Sequence, residues 1–143
     1  MTRPHRIIFL CVANSARSQM AEGIARATAP ADWIVSSAGS RPGTLDPLAT
    51  RVMAEMDIDI SKHRAKGFDQ APLADADVIV TLCAEEECPL TPPHVRRISW
   101  EMPDPAGRGG SAPEQLAAFR EARDEIARCM TEFWSRTEAG QPA

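Results

Sequence analysis

The 143-residue sequence contains no tyrosine, and its other aromatic residues number only four phenylalanines and three tryptophans. No apolar run approaches the ~18 residues needed to cross a membrane. Lysine and arginine form no basic tract, and the net charge is −4, from 16 basic and 20 acidic residues. A nucleic-acid or membrane surface is therefore not expected. An anion bound by this protein must be held by a local site, not by the overall field. Four cysteines, at positions 11, 83, 88 and 129, are too few and too unevenly spaced for a secreted disulfide framework. Arg3, His5 and Arg6 precede a short apolar run at 7–13, but Asn14, Ser15, Arg17 and Ser18 end it too early for a signal peptide. The expected compartment is a reducing cytoplasm. Internal repeats, low-complexity tracts and linkers are also missing, so a single domain over 1–143 is expected, with 138–143 a frayed tail.

Twelve prolines punctuate the chain. Between them, short β-branched runs alternate with helical patterns. Residues 6–10 (Arg-Ile-Ile-Phe-Leu) read as a buried strand, 33–37 as a second, 77–82 as a third and 97–100 as a fourth. Residues 18–29 read as a helix with Met20, Ile24 and Ala27 on one face and Pro30 as its stop. Asp46-Pro47 supplies a cap and first turn for a helix whose Leu48, Val52, Met53 and Met56 share a face. Ser111 and Glu114 form a capping box before a long helix carrying Leu116, Phe119, Ile126, Met130 and Phe133. This alternation predicts an α/β fold, a three-layer sandwich with a four-stranded parallel sheet and helices on both faces. The strand order expected of it is 2-1-3-4, one of the two common orders of doubly wound sheets.

In such a sheet, ligands bind beyond the carboxyl ends of the strands. Cys11 follows the first strand, Cys83 the third, and Asp104 the fourth after a short loop. Neighbouring strands lie about 4.8 Å apart, so order 2-1-3-4 brings two thiols and a carboxyl around one crevice. The segment Cys11, Val12, Ala13, Asn14, Ser15, Ala16, Arg17, Ser18 joins strand end to helix start. A loop of this length can turn its N–H groups inward as an anion nest at a helix N-terminus. Arg17 adds a planar fork suited to two oxygens of a tetrahedral oxyanion. The same donors favour the thiolate of Cys11. Ser18 could donate to the sulfur and Asn14 could brace the loop. By itself the C-x5-R spacing also describes a buried strand-end cysteine and a surface arginine. Its position between strand and helix, with a serine directly after Arg17, favours the oxyanion loop.

Asp104, in Met102-Pro103-Asp104-Pro105, suits a turn. Across a crevice from an oxyanion nest it also suits a general acid. Cys83 and Cys88 admit three readings: packing residues beside the acidic turn Glu85-Glu86-Glu87, a zinc site with His94 and Cys129, or a redox pair. The zinc reading lacks a second closely spaced cysteine pair, and no metal is expected. The redox reading needs both thiols to reach the crevice of Cys11, which strand order supplies for Cys83. Cys129 falls on the apolar stripe of the long helix beside Met130 and reads as core. His63 and His94 read as surface or structural residues without partners.

Residues 11–18 with Gln19-Met20-Ala21-Glu22-Gly23, Ser37-Ala38-Gly39, Asp57-Ile58-Asp59-Ile60-Ser61, Val80-Thr81-Leu82-Cys83 and Asp104-Pro105-Ala106-Gly107 together resemble the arsenate reductases built on the low-molecular-weight tyrosine phosphatase fold. The match runs in order from about residue 7 to residue 133. This resemblance implies a thioredoxin-coupled, three-cysteine reaction without an organic cofactor. Cys11 attacks arsenate held by the loop and Arg17, and Asp104 protonates the departing oxygen. Cys83 then attacks Cys11, and Cys88 attacks Cys83, passing the oxidation outward to thioredoxin or another thiol reductant. Phosphate or sulfate would bind as substrate analogues.

The chain departs from the familiar members in three ways. Four residues rather than six separate Cys83 and Cys88, and Ala16 stands where many relatives carry a further cysteine. Some members hold potassium with residues matching Asn14, Glu22, Ser37 and two after Ser61. Here that stretch is Lys62-His63-Arg64-Ala65-Lys66, cationic where oxygen ligands are expected, and the Lys66 ammonium is expected in the ion's place. Residues five apart in a helix are separated by about 7.5 Å of rise, beyond the ~6.8 Å Cα limit of a disulfide. A Cys83–Cys88 bridge is therefore expected to loop out 83–89. The runner-up is a low-molecular-weight protein tyrosine phosphatase using Cys11, Arg17 and Asp104. Those enzymes usually present tyrosines beside the acid, and this chain has none. A non-catalytic thiol sensor would need no oxyanion nest.

Overall fold

The β-branched runs pair as the sequence predicts. In the computed structural model, which describes residues 4–82, 92–107 and 109–138, four strands form one sheet. They are β1 (His5–Cys11), β2 (Trp33–Gly39), β3 (Val78–Thr81) and β4 (Arg96–Ser99), all parallel, in the order β2-β1-β3-β4. The helices are α1 (Arg17–Thr28), α2 (Pro47–Ala54) and α3 (Ala112–Glu138). Strand β1 is central, and its Ile7, Ile8, Phe9 and Leu10 are almost fully buried, as a strand covered on both faces requires.

The two faces are covered unequally. Ile7, Phe9, Val35, Val78 and Val80 meet all three α-helices in the larger core, through Met20, Ile24, Val52, Met53, Phe119, Ile126 and Met130 among others. On the opposite face, Ile8, Leu10, Ala38 and Ile79 pack against Ala71, Ala76 and Val95, with Phe68 and Leu73 at the margin. Among the described residues, that second layer consists of two single-turn 3-10 helices, Phe68–Gln70 and Leu73–Asp75.

Local chemistry sets the helix ends. The Leu48 N–H donates to Asp46 Oδ1 at 2.9 Å with Pro47 in the first turn. Ser111 and Glu114 cap α3 reciprocally, Glu114 N–H to Ser111 Oγ and Ser111 N–H to Glu114 Oε1. Helix α2 stops at Ala54, and Asp57 takes a left-handed φ of 59° while Ile58 N–H closes back onto Met53 O. Met56 therefore leaves the shared face expected of it and is 38% exposed. Ala27 is also exposed: the buried stripe of α1 runs through Met20, Ala21, Ile24 and Ala25, and Arg26, Ala27 and Thr28 of its last turn are all exposed. Gly23 interrupts α1 for a packing reason: a Cβ there would lie 2.7 Å from Ile60 Cγ2. Across the helices, Glu55 accepts from Arg120 at 2.6 Å and Arg123 at 2.7 Å.

Candidate active site

Strand β1 delivers Cys11 to its carboxyl end, and α1 begins six residues later at Arg17. The intervening carbonyls are all engaged on the outside of the loop. Cys11 O, Val12 O, Ala13 O and Ser15 O accept from the N–H groups of Ser40, Arg41, Gly43 and Asp46, at 3.3, 2.9, 2.9 and 2.9 Å. Asn14 O accepts from Gln19 Nε2, and Ala16 O from Met20 N–H. A loop whose carbonyls face out turns its amides inward, the arrangement of an anion nest. Gly39 makes this close approach possible, since a Cβ there would lie 2.5 Å from Val12 O and 2.8 Å from Asn14 N.

Inside the loop, Cys11 is 3% exposed and its Sγ lies 2.8 Å from Ser18 Oγ. Ser18 Oγ accepts from Asn14 Nδ2 at 2.7 Å, which leaves its own proton to point at the sulfur. Asn14 is fully buried at a left-handed φ of 52°, and every polar atom of its amide is paired. Its Oδ1 accepts from Gln19 Nε2 and Lys66 N–H, each at 2.9 Å, and its Nδ2 also reaches Ser37 Oγ at 3.0 Å. Ser37 in turn donates to Glu22 Oε1 at 2.6 Å.

Arg17 is 4% exposed and donates from Nη1 to Met102 O at 3.0 Å. Its Nη2 lies 3.7 Å from Asp104 Oδ2. Asp104 is half exposed and accepts from Ala106 N–H at 3.0 Å in the 3-10 turn Pro105–Gly107. The predicted acid is thus beside the predicted oxyanion binder. Cys83 and Cys88, with the loop expected to change on oxidation, lie outside the described residues. The chain enters position 83 from Leu82, whose N–H donates to Leu10 O at 3.0 Å, one residue before Cys11.

The low molecular weight phosphotyrosine protein phosphatase family model matches residues 6–141. An arsenate reductase of Bacillus subtilis is 46% identical over 129 residues, covering 89% of this chain and 93% of that protein. The chain belongs to the low molecular weight phosphotyrosine protein phosphatase family, among its arsenate reductases. In structure it is similar to an arsenate reductase in a phosphate-binding state, with a TM-score of 0.78, 29% identity and coverage of 92% and 98% of the two chains. It also resembles the thioredoxin-dependent arsenate reductase of Corynebacterium glutamicum, with a TM-score of 0.78 and 25% identity, spanning 98% of this chain and 65% of that one.

Some family members carry potassium near this loop, but the residues here do not fit the ion. Lys66 Nζ lies 3.3 Å from Glu22 Oε1, which already accepts from Ser37, and both acceptor positions of Asn14 Oδ1 are taken. Burial pushes the Glu22 carboxyl up, but the Ser37 hydroxyl and the charges of Lys66, Arg26 and His63 outweigh it and hold the carboxyl below its ordinary value.

Two sequence expectations need correction. Cys129 is not core: it is half-buried and lines a cavity of about 260 Å³ with Arg96, Trp100 and Arg136 among others. Its place one step round α3 from buried Met130 turns the sulfur to the edge of the stripe, 3.7 Å from Glu125 Oε1. Burial and the Glu125 carboxylate push this thiol up, so it is a poor nucleophile. His63 is not without partners either; Nδ1 lies 3.0 Å from Gln19 Oε1 and 3.5 Å from Glu22 Oε2. Nor is His94, which a zinc site would need, without a partner: it lies on the surface and donates from Nε2 to Ala74 O at 2.9 Å. Sequence reasoning missed Gln19, whose amide knits Asn14, Arg64 and His63 together. A glutamine beside Met20 on the inward side of a helix was the available signal.

Proposed function

We propose that this chain reduces arsenate to arsenite at the loop of residues 11–18, using a three-cysteine relay. The observation that carries the reading is the outward pairing of every carbonyl from Cys11 to Ala16 around a buried thiol and a buried guanidinium. That arrangement suits a tetrahedral oxyanion placed directly over a nucleophile. The loop amides of Val12, Ala13, Asn14, Ser15, Ala16, Arg17 and Ser18, with the Arg17 side chain, hold the substrate oxygens. The Cys11 thiolate bonds to arsenic(V), and one oxygen leaves as water after taking a proton from Asp104.

Arsenic must next gain two electrons. The Cys83 thiolate attacks Cys11 Sγ, forming the Cys11–Cys83 disulfide, and the S–As electron pair stays on arsenic as arsenite leaves. Cys88 then attacks Cys83, giving a Cys83–Cys88 disulfide and freeing Cys11. A thioredoxin-type dithiol reduces that second disulfide and takes up the oxidation. What supports the relay is the identity of these residues and the entry of the chain to position 83 beside the row of Cys11. Resemblance to one thioredoxin-dependent arsenate reductase supports the reductant, and the chemistry requires a reducing compartment. Among the described residues, no helix is long and apolar enough to cross a membrane.

Hydrolysis of phosphate monoesters would need the same Cys11, Arg17 and Asp104 but neither Cys83 nor Cys88. With no tyrosine to flank a substrate ring and arsenate reductases as its relatives, the chain favours reduction. The deciding assay is arsenate-dependent NADPH consumption with thioredoxin and its reductase, beside hydrolysis of an aryl phosphate. Cys83→Ala and Cys88→Ala should each abolish multiple turnover and spare any ester hydrolysis. Normal turnover by both variants would sink the relay.

A further inference from the structure

The pairing around Glu22 assigns Lys66 a part in the site: we propose that its ammonium is a built-in cation, a positioning residue that holds Asn14, and through Asn14 holds Ser18 against the Cys11 sulfur. Lys66 acts on Asn14 twice. Its backbone N–H donates to Asn14 Oδ1 at 2.9 Å. Its Nζ lies 3.3 Å from Glu22 Oε1, which accepts from Ser37 Oγ at 2.6 Å, and Ser37 accepts from Asn14 Nδ2 at 3.0 Å. The two routes meet on one amide and close a ring. Because an N–H of the main chain can only donate, Lys66 also fixes which way the Asn14 amide faces. The second proton of Nδ2 then reaches Ser18 Oγ at 2.7 Å, and Ser18 Oγ lies 2.8 Å from Cys11 Sγ.

Glu22 gives this ring its need for a cation. The carboxylate is 3% exposed, and a charge so placed requires a partner. Arg26 pairs with Oε2 at 3.1 Å, but its side chain is 54% exposed. Lys66 is the partner on Oε1, the oxygen that faces Ser37, and it is only 17% exposed. His63 Nδ1 faces the other oxygen, Oε2, at 3.5 Å. Nζ also donates to Arg64 O at 3.3 Å, so the ammonium is gripped by two oxygens. Asn14 sits at a φ of 52°, a left-handed conformation that asparagine tolerates better than other non-glycine residues and that the bonds around its amide hold in place. A permanent ammonium makes that hold independent of which monovalent ion the solvent contains.

The test measures affinity for inorganic phosphate by calorimetry on the reduced full chain, in sodium and in potassium at one ionic strength. It depends on the loop binding oxyanions, not on arsenate chemistry. The wild type should bind equally in both salts. Lys66→Met should bind about tenfold more weakly in both, since a charge-assisted bond is lost. Lys66→Arg should restore most of the affinity. In Lys66→Asp, potassium should recover affinity that sodium does not, because a carboxylate re-creates an oxygen cage. Several-fold tightening of wild-type binding by potassium would overturn the proposal, as would wild-type affinity in Lys66→Met. If Lys66→Met does not fold, failure of Lys66→Arg to bind phosphate in either salt overturns it instead. A wild type that shows this salt profile but reduces no arsenate would retire the proposed reaction and leave the role of Lys66 standing.

Discussion

The two walls of the site are built differently. On the nucleophile side, Asn14, Ser18, Gln19 and Ser37 are all fully buried, and their side chains form one continuous hydrogen-bonded set that ends on Cys11. On the acid side, Asp104 has a 45% exposed side chain, one bond to Ala106 N–H and a 3.7 Å approach to Arg17. The contrast follows the demands of each group. A thiolate and an oxyanion nest gain from preorganised dipoles, because nothing then has to reorient as charge develops. For the proposed acid, which gives up a proton and must regain one, contact with water is an advantage. Arg17 spans both walls through its bond to Met102 O.

The sharpest way to break this comparison is to remove the nucleophile. Cys11→Ser should lose all detectable turnover while keeping phosphate affinity within about threefold, because the donors of the loop are untouched. Loss of phosphate binding in that variant would mean that the sulfur itself holds the loop together. On the acid wall, Asp104→Asn should lower kcat by about 10²–10⁴ without moving the melting temperature, as its single local bond predicts. On the nucleophile wall, Asn14→Ala should instead destabilise the fold by about 2–4 kcal/mol, because it leaves several buried partners unpaired. A melting temperature equal to the wild type would show that the set is not rigid.

The smallest effect lies far from both walls. Hydrogen bonds from Arg120 and Arg123 hold the exposed Glu55 carboxyl down at about 2. A carboxyl whose pKa falls on folding adds stability above its unfolded value near 4.5, and that stability is lost as pH drops towards 2. Glu55→Gln should therefore lower the melting temperature slightly at pH 7, and the gap should close as both proteins are acidified below about pH 4.5. A gap unchanged at low pH would assign the difference to packing.

Much of the scaffold was legible in the chain. The runs Ile7-Ile8-Phe9-Leu10 and Val78-Ile79-Val80 have the period and branching of buried strands, and the caps at Asp46 and Ser111 are local chemistry that works wherever the helix is placed. That Cys11, Arg17 and Asp104 would gather at one edge of the sheet was legible because all three follow strand ends, where a parallel sheet puts its ligand crevice. Ala27 and Met56 were misplaced because periodicity says which residues share a stripe but not where along the chain the burial of that stripe, or the helix itself, ends. Cys129 went the same way, one residue from buried Met130 yet turned to the stripe's edge.

The sequence by itself determined the strands, the helix caps and the loop of residues 11–18 with Cys11 at a strand end, since each rests on local pattern or on spacing along one element. Only the tertiary structure decided who braces that loop. Lys66 reaches Asn14 across 52 residues and Glu22 across 44, and Gln19 reaches His63 across 44. Hydrogen bonds of that span depend on how the turn after α2 lies against α1 and β2. No period or local propensity carries that information, because the bonds form only where burial has removed water as the competing partner.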